Sequence, residues 1–173
     1  IDFSADVSRL LDIVAHALYS NRDVFLRELV SNAADACDRL RYEAIKEPDL
    51  TKDDNDFRIR VYKNTDDRIV VVQDNGIGMD RDSLIDNLGT IAKSGTAALM
   101  EQMKQVNDQD KMSLIGQFGV GFYASFMVAD KVEVISRPAG KDETWHWESD
   151  GKTGFHIREA TKDEKDLINS NRG

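Results

Sequence analysis

Ile69-Val70-Val71-Val72-Gln73-Asp74-Asn75-Gly76-Ile77-Gly78-Met79 is the stretch on which the reading of the fold turns. Four consecutive apolar residues, Ile69 to Val72, predict a central strand covered on both faces. An acidic residue then stands at the strand end, beside two glycines. Glycine lets backbone approach a ligand closely and permits φ > 0. A carboxylate only accepts hydrogen bonds, so Asp74 suits an amine donor such as the exocyclic group of adenine. The competing reading is a tight turn capped by Asp, and these residues alone leave it open.

Upstream, Phe57 to Lys63 alternates as a strand with Phe57, Ile59 and Val61 on one face, and Asn64-Thr65-Asp66-Asp67 turns it back into Ile69 to Gln73. Lys52-Asp53-Asp54-Asn55-Asp56 reads as a solvated loop. Before it, Val7, Leu10, Leu11, Val14 and Leu18 follow a helical spacing, and Ser20-Asn21 can cap a second helix running from about Asp23 to Ile45. The apolar face of this second helix includes Phe25, Leu29, Ala33, Ala36, Cys37 and Leu40, and Pro48 ends the region.

Downstream, Asp80 can cap a short helix through Leu84 and Leu88. The segment Gly89 to Gly121 is glycine-punctuated, with a helical stretch near Ala97 to Val106, and Phe122 to Val128 reads as a helix. Lys131 to Arg137, Thr144 to Glu148 and Phe155 to Glu159 read as strands, and Thr161 to Gly173 as a polar, weakly patterned tail. Helices, two strands, helices, then several strands do not make a strict βαβ alternation. The order predicts an α+β, two-layer sandwich, with helices on one face of a mostly antiparallel mixed sheet.

Three further groups of residues can carry chemistry. Glu28, Asn32, Asp35 and Arg39 share one stripe of the second helix. Alone they fit a solvated face with an Asp35–Arg39 pair worth about 0.3–0.5 kcal/mol. Gly116-Gln117-Phe118-Gly119-Val120-Gly121 opens the helix at Phe122. Glycines there expose unpaired N–H groups at the positive end of a helix dipole, which favours phosphate, although a flexible hinge has the same composition. No βαβ unit surrounds this run and no GK[ST] follows, so it is neither a Rossmann nor a Walker loop. Lys93, within Gly89-Thr90-Ile91-Ala92-Lys93-Ser94-Gly95-Thr96, is a point cation in a glycine-flanked segment, or an ordinary surface lysine.

Composition narrows the classes. The chain of 173 residues fits one domain with one core. Lys and Arg number 23 against 32 Asp and Glu, a formal charge of −9. That argues against an extended nucleic-acid binder but not against one nucleotide in a pocket. No apolar run approaches the roughly 18–20 residues of a membrane span. Ile1-Asp2-Phe3-Ser4 has neither a basic nor an apolar leader pattern, and Met is missing from position 1, which predicts a trimmed piece. The single cysteine, Cys37, excludes an internal disulfide and reads as a small core residue.

Taken together and in order, these pieces resemble the GHKL ATPases, with the Bergerat fold. Within them the chain closely resembles the N-terminal ATPase domain of the ninety-kilodalton heat-shock chaperone family, bacterial type. Tyr19-Ser20-Asn21, Phe25 to Ala36, Asp74 to Met79, Leu88 to Thr96, and Ile115 to Tyr123 running on into Val128-Ala129-Asp130 carry the likeness. Positions after about 138 are generic.

The resemblance implies one ATP-binding domain over 1–173, with a mobile lid at about 89–121, binding ATP or ADP with Mg²⁺. It implies Glu28 as the general base and Asn32 as an amide ligand of Mg²⁺. Asp74 would accept from the adenine amine, Gly78 and Met79 would line the adenine cleft, and Asp35 would sit at the adenine end of the helix. Asn87 and Lys93 would contact ribose and phosphate. Gly116, Gln117, Phe118, Gly119, Val120, Gly121 and Phe122 would cradle the phosphates. It also implies client proteins, a homodimer through domains absent from this chain, no nucleic-acid or membrane partner, and the bacterial cytosol, with the mitochondrial matrix still open.

A kinase or topoisomerase subunit of the same superfamily is the alternative; Ser94-Gly95-Thr96 and a Glu rather than a His at position 28 favour the chaperone. Two features depart from the family pattern. Arg39 stands where Lys is common, and the family's Gly-Thr pair and final strand do not follow within the chain, which predicts a truncated sheet edge.

Overall fold

The computed structural model describes residues 23–89, 121–168 and 170–173. The expected first helix, the helical stretch near Ala97 to Val106, Lys93, and Gly116 to Val120 lie outside the described residues. Contacts divide the chain into two compact units, one of residues 1–28, 81–134 and 147–157, the other of 29–80, 135–146 and 158–173.

Helix α1 spans Val24–Lys46. Ala33, Cys37 and Leu40 recur at spacings of four and three and are buried, so the apolar stripe of the sequence becomes the core-facing stripe. Cys37 takes its expected place in the core; burial first, and the charge of Asp74 second, push its thiol pKa up. Pro48 stops α1 and opens a 3₁₀ turn, Pro48–Thr51.

Strands β1 (Ile59–Asn64) and β2 (Ile69–Asp74) form an antiparallel hairpin with Ile59 opposite Asp74 and Asn64 opposite Ile69. The Asn64 side chain accepts from the Asp66 and Asp67 N–H groups and so shapes the turn. The expectation of a doubly covered central strand fails here. Among the described residues β2 pairs only with β1, and Ile69 and Val70 remain 49% and 52% exposed.

Beyond Asp80, helix α2 (Arg81–Leu84) runs into a π turn, Ile85–Gly89. The helix expected over Phe122 to Val128 is present as Gly121–Met127, wound as a 3₁₀ helix. Its tighter winding brings residues three apart onto one side, and the Tyr123 and Phe126 rings pack there with centroids 6.3 Å apart. Strands β3 (Val132–Ser136), β4 (Trp145–Ser149) and β5 (Phe155–Glu159) form a sheet in that order. Their connections are too short for a parallel crossover, which needs a dozen or more residues, so neighbours run antiparallel. The chain is α+β, as the order of elements predicts.

The tail is more structured than its composition suggests. Helix α3 covers Lys162–Leu167 and starts with a capping box, in which Thr161 and Glu164 each accept the other's backbone N–H. In the first unit the core gathers Leu84, Leu88, Phe122, Tyr123, Trp147 and Phe155. Trp147 stacks on Phe155 at 5.8 Å and meets Phe122 edge-on at 5.7 Å. In the second, polar groups are buried together with Ala33, Cys37 and Leu40: Asn75, Ser136, Thr144, His146 and Arg172.

Candidate functional site

In the first unit, the start of the second turn of α1 supplies Glu28. Its side chain is only 13% exposed, and Arg27 Nε lies 3.8 Å from its carboxylate. It packs against the backbone of Gly121. A Cβ at position 121 would sit 2.8 Å from Glu28 Cγ and Cδ and overlap Oε2. Glycine is therefore required at the start of this 3₁₀ turn for Glu28 to keep its place.

The turn is held from below. The Tyr123 hydroxyl donates to the Leu88 carbonyl at 2.6 Å, and Phe122 meets Tyr123 edge-on at 5.6 Å. Burial pushes the Tyr123 phenol pKa up, so it stays a donor at neutral pH. Gly121 and Phe122 are buried here, while Asn87 is exposed on the π turn.

In the second unit, β2 ends at Asp74, whose carboxylate accepts the Gly76 N–H at 2.8 Å. Burial raises its pKa, and that hydrogen bond only partly offsets the rise. Gly76 lies against the α1 backbone: a Cβ there would come 2.5 Å from the Ala36 carbonyl carbon and 2.7 Å from the Cys37 nitrogen. The Ile77 N–H donates to the Ala36 carbonyl at 3.1 Å. Gly78 has φ +66°, and a Cβ on it would overlap the Arg137 carbonyl oxygen. The Met79 N–H donates to Ser136 Oγ at 2.9 Å. Both glycines of the Asp74-to-Met79 run are thus fixed by close backbone approach, one to α1 and one to the end of β3.

Asn32 and Asp35 are exposed on α1, and among the described residues no hydrogen bond occupies the Asn32 amide. Asp35 and Arg39 are both exposed, but the ion pair that would accompany a purely solvated face is not formed among the described residues.

The family model for histidine kinase-, DNA gyrase B-, and HSP90-like ATPases matches residues 19–170. The chain belongs to this ATPase family. Similar proteins include the chaperone protein HtpG of Nitrobacter winogradskyi, 55% identical over 162 residues, which are 94% of this chain and 25% of that protein. HtpG of Rhodospirillum rubrum is 55% identical over 162 residues, covering 92% and 26%. HtpG of Paramagnetospirillum magneticum is 56% identical over 158 residues, covering 91% and 25%. The chain spans about a quarter of the length of these relatives. No helix among its described residues is long and apolar enough to cross a membrane.

For this ATPase the structure adds residues that sequence reading passed over. Asn75 is buried; its side-chain oxygen accepts the Arg58 N–H at 2.7 Å and its amide donates to the Asp56 carbonyl at 2.8 Å. Gly173 and Arg137 exchange two backbone hydrogen bonds, at 2.5 and 2.9 Å, and Ser136 Oγ donates to Gly173 O at 3.0 Å. Composition marked the tail as polar and gave no sign that it returns to the Asp74 turn. The capping box Thr161-x-x-Glu164 was the one local signal that it would be ordered.

Proposed function

We propose that the chain is a single N-terminal ATP-binding domain of a molecular chaperone. In this reading, ATP binding closes a lid at about 89–121 and slow hydrolysis resets it, driving the handling of client proteins. Membership of an ATPase family and the chaperone names of its relatives support this. Homodimerisation through segments outside this chain, and residence in the bacterial cytosol, belong to the same proposal.

The observation that carries the chemistry is the Glu28 carboxylate, largely shielded from solvent and lying against the first residue of the Gly121–Met127 turn. We assign Glu28 the role of general base. It accepts a proton as a water oxygen bonds to the γ-phosphorus, and the bond to the bridging oxygen breaks to release ADP and phosphate. A positioned base of this kind contributes ~10²–10⁴ in rate. Backbone N–H groups of Gly116 to Phe122, with Lys93, would meet the phosphate charge, and Asn87 the ribose.

Asn32 stands one turn along α1 from Glu28, with an exposed amide. A neutral amide oxygen is a hard donor of the kind Mg²⁺ accepts beside waters and phosphate oxygens. When bound, Mg²⁺ would supply the charge that neutralises the triphosphate, which a chain of net charge −9 needs locally. Asp74 would accept from the adenine amine, with Gly78, Met79 and Asp35 beside the base.

Phosphate release from ATP, measured on the full-length protein and on Glu28→Ala, tests the proposal. The expected result is retained ATP binding with turnover reduced by ~10²-fold or more. Unchanged hydrolysis would remove Glu28 from the mechanism. As the family resemblance implies, a cation supplied from outside the chain completes the site in this reading; such groups are worth ~10³–10⁵, so the isolated domain should turn over poorly.

A further inference from the structure

Arg172 is the buried arginine of the second unit, 1% exposed. Its guanidinium is held by two main-chain carbonyls and one side-chain amide oxygen. Nε donates to the Asn75 carbonyl at 2.9 Å, Nη2 to the Asp54 carbonyl at 2.5 Å, and Nη1 to Asn171 Oδ1 at 3.1 Å. Its guanidinium also lies 5.8 Å from the centre of the Phe57 ring. Asn75, the residue it grips, immediately follows Asp74.

The same turn is held from its other side. The Asn75 side chain ties to Arg58 and Asp56, and its amide lies 3.2 Å from Asp54 Oδ2. Burial pushes the Asp54 carboxyl up, but hydrogen bonds from Arg58 and Asn75 outweigh it, so Asp54 stays ionised below the ordinary range. Next to Arg172, Gly173 packs on the Asp74 carbonyl so closely that a Cβ there would overlap its oxygen. A guanidinium with fixed, planar donors orients what it holds more tightly than an ammonium does.

We propose that Arg172 is a positioning residue for base recognition: by fixing the Asn75 carbonyl it sets the direction of the Asp74 carboxylate, and so the selection of adenine over 6-oxopurines. This rests on the reading of Asp74 as the acceptor of the adenine amine. A 6-oxopurine offers an acceptor at that position and would face the carboxylate lone pairs, so selectivity depends on how rigidly the carboxylate is aimed.

The test is calorimetric titration of ADP and of inosine 5′-diphosphate into the full-length protein, Arg172→Lys, Arg172→Met and Asp74→Asn, with a melting curve for each. The parent should prefer ADP. Arg172→Met should lose about tenfold in ADP affinity with inosine diphosphate affinity nearly unchanged, so that the preference collapses. Arg172→Lys, which keeps the charge but loses the planar fork of donors, should fall between. If Arg172→Met does not fold at the assay temperature, the Lys variant carries the comparison. A preference equal to the parent's in the folded Arg172 variants, or an equal loss for both nucleotides, overturns the inference. If Asp74→Asn also leaves the preference intact, the Asp74 reading fails; if only the Arg172 variants do, that reading survives and this inference alone is lost.

Discussion

The Glu28 carboxylate lies against the backbone of Gly121, leaving no room for a Cβ on the glycine. The neighbour in the way is the end of a side chain, which can rotate aside, and not a fixed backbone. Gly121→Ala should therefore leave the fold nearly intact and move Glu28. We expect ATP turnover to fall by roughly ten- to a hundredfold, within the ~10²–10⁴ worth of a general base, with little change in melting temperature. Parent-like turnover in a well-folded Gly121→Ala protein would separate this contact from catalysis.

Asn32 gives a prediction that depends on the metal. Its amide is exposed on α1 and engaged by no other described residue. Asn32→Ala should cost little stability and weaken ATP binding only when Mg²⁺ is present. Titrations with Mg²⁺ and with chelator would show this as a smaller metal-dependent gain in the variant. An equal gain in both proteins would deny Asn32 the role.

Gly78 makes the opposite case to Gly121. Its φ is +66°, and the oxygen it would strike is the main-chain carbonyl of Arg137, which also accepts the Gly173 N–H. Nothing there can swing away. Gly78→Ala should destabilise the fold by ~1–3 kcal/mol from backbone strain, visible as a melting temperature several degrees lower. A melting curve matching the parent would show that the turn can relax.

Glu164 ties α3 to β4 and β5. Its carboxyl accepts from Arg158 at 2.6 and 2.8 Å and lies 2.6 Å from His146 Nδ1. Arg158 holds its pKa far below the ordinary carboxylate range against the opposing effect of burial, with the Thr161 N–H and His146 adding to the shift. The folded pKa is depressed, so this stabilisation is complete above the unfolded value of ~4.3 and is lost as pH falls below it towards the folded value. Denaturant unfolding at pH 7 and pH 3 should show a smaller acid-induced loss in Glu164→Gln than in the parent. An identical loss in both would mean that the cluster does not contribute to acid sensitivity.

Local patterns were legible in the sequence where one element sufficed to determine them. The 3.6-residue period placed Ala33, Cys37 and Leu40 inside, and β5 occupies Phe155–Glu159, the stretch read as a strand. The glycines at 76 and 78 were read as letting backbone approach a ligand; in the structure each lies against the protein's own backbone, at Ala36–Cys37 and at Arg137, and the φ > 0 that was allowed for occurs at Gly78. What failed depended on neighbours. Ile69 to Val72 look like a doubly covered strand because burial is inferred from apolarity alone, yet Ile69 and Val70 are half exposed. Phe122 to Val128 was read as a helix and Gly121–Met127 is one, but its 3₁₀ winding and the long-range Tyr123–Leu88 hydrogen bond are not legible in the spacing. Arg172 was invisible, since a buried arginine gripping carbonyls looks like any polar tail residue until the chain folds back.

The most direct test of the account is calorimetric titration of ADP, with and without Mg²⁺, into the protein and into Asp74→Asn. The Asp74 carboxylate is aimed by the Gly76 N–H and its pKa is raised by burial. Saturable binding by the parent, abolished or greatly weakened in a folded Asp74→Asn variant and declining in the parent as pH falls towards the raised pKa of Asp74, is the predicted result. A folded parent that binds no ADP, or a variant that binds as well as the parent, would contradict it.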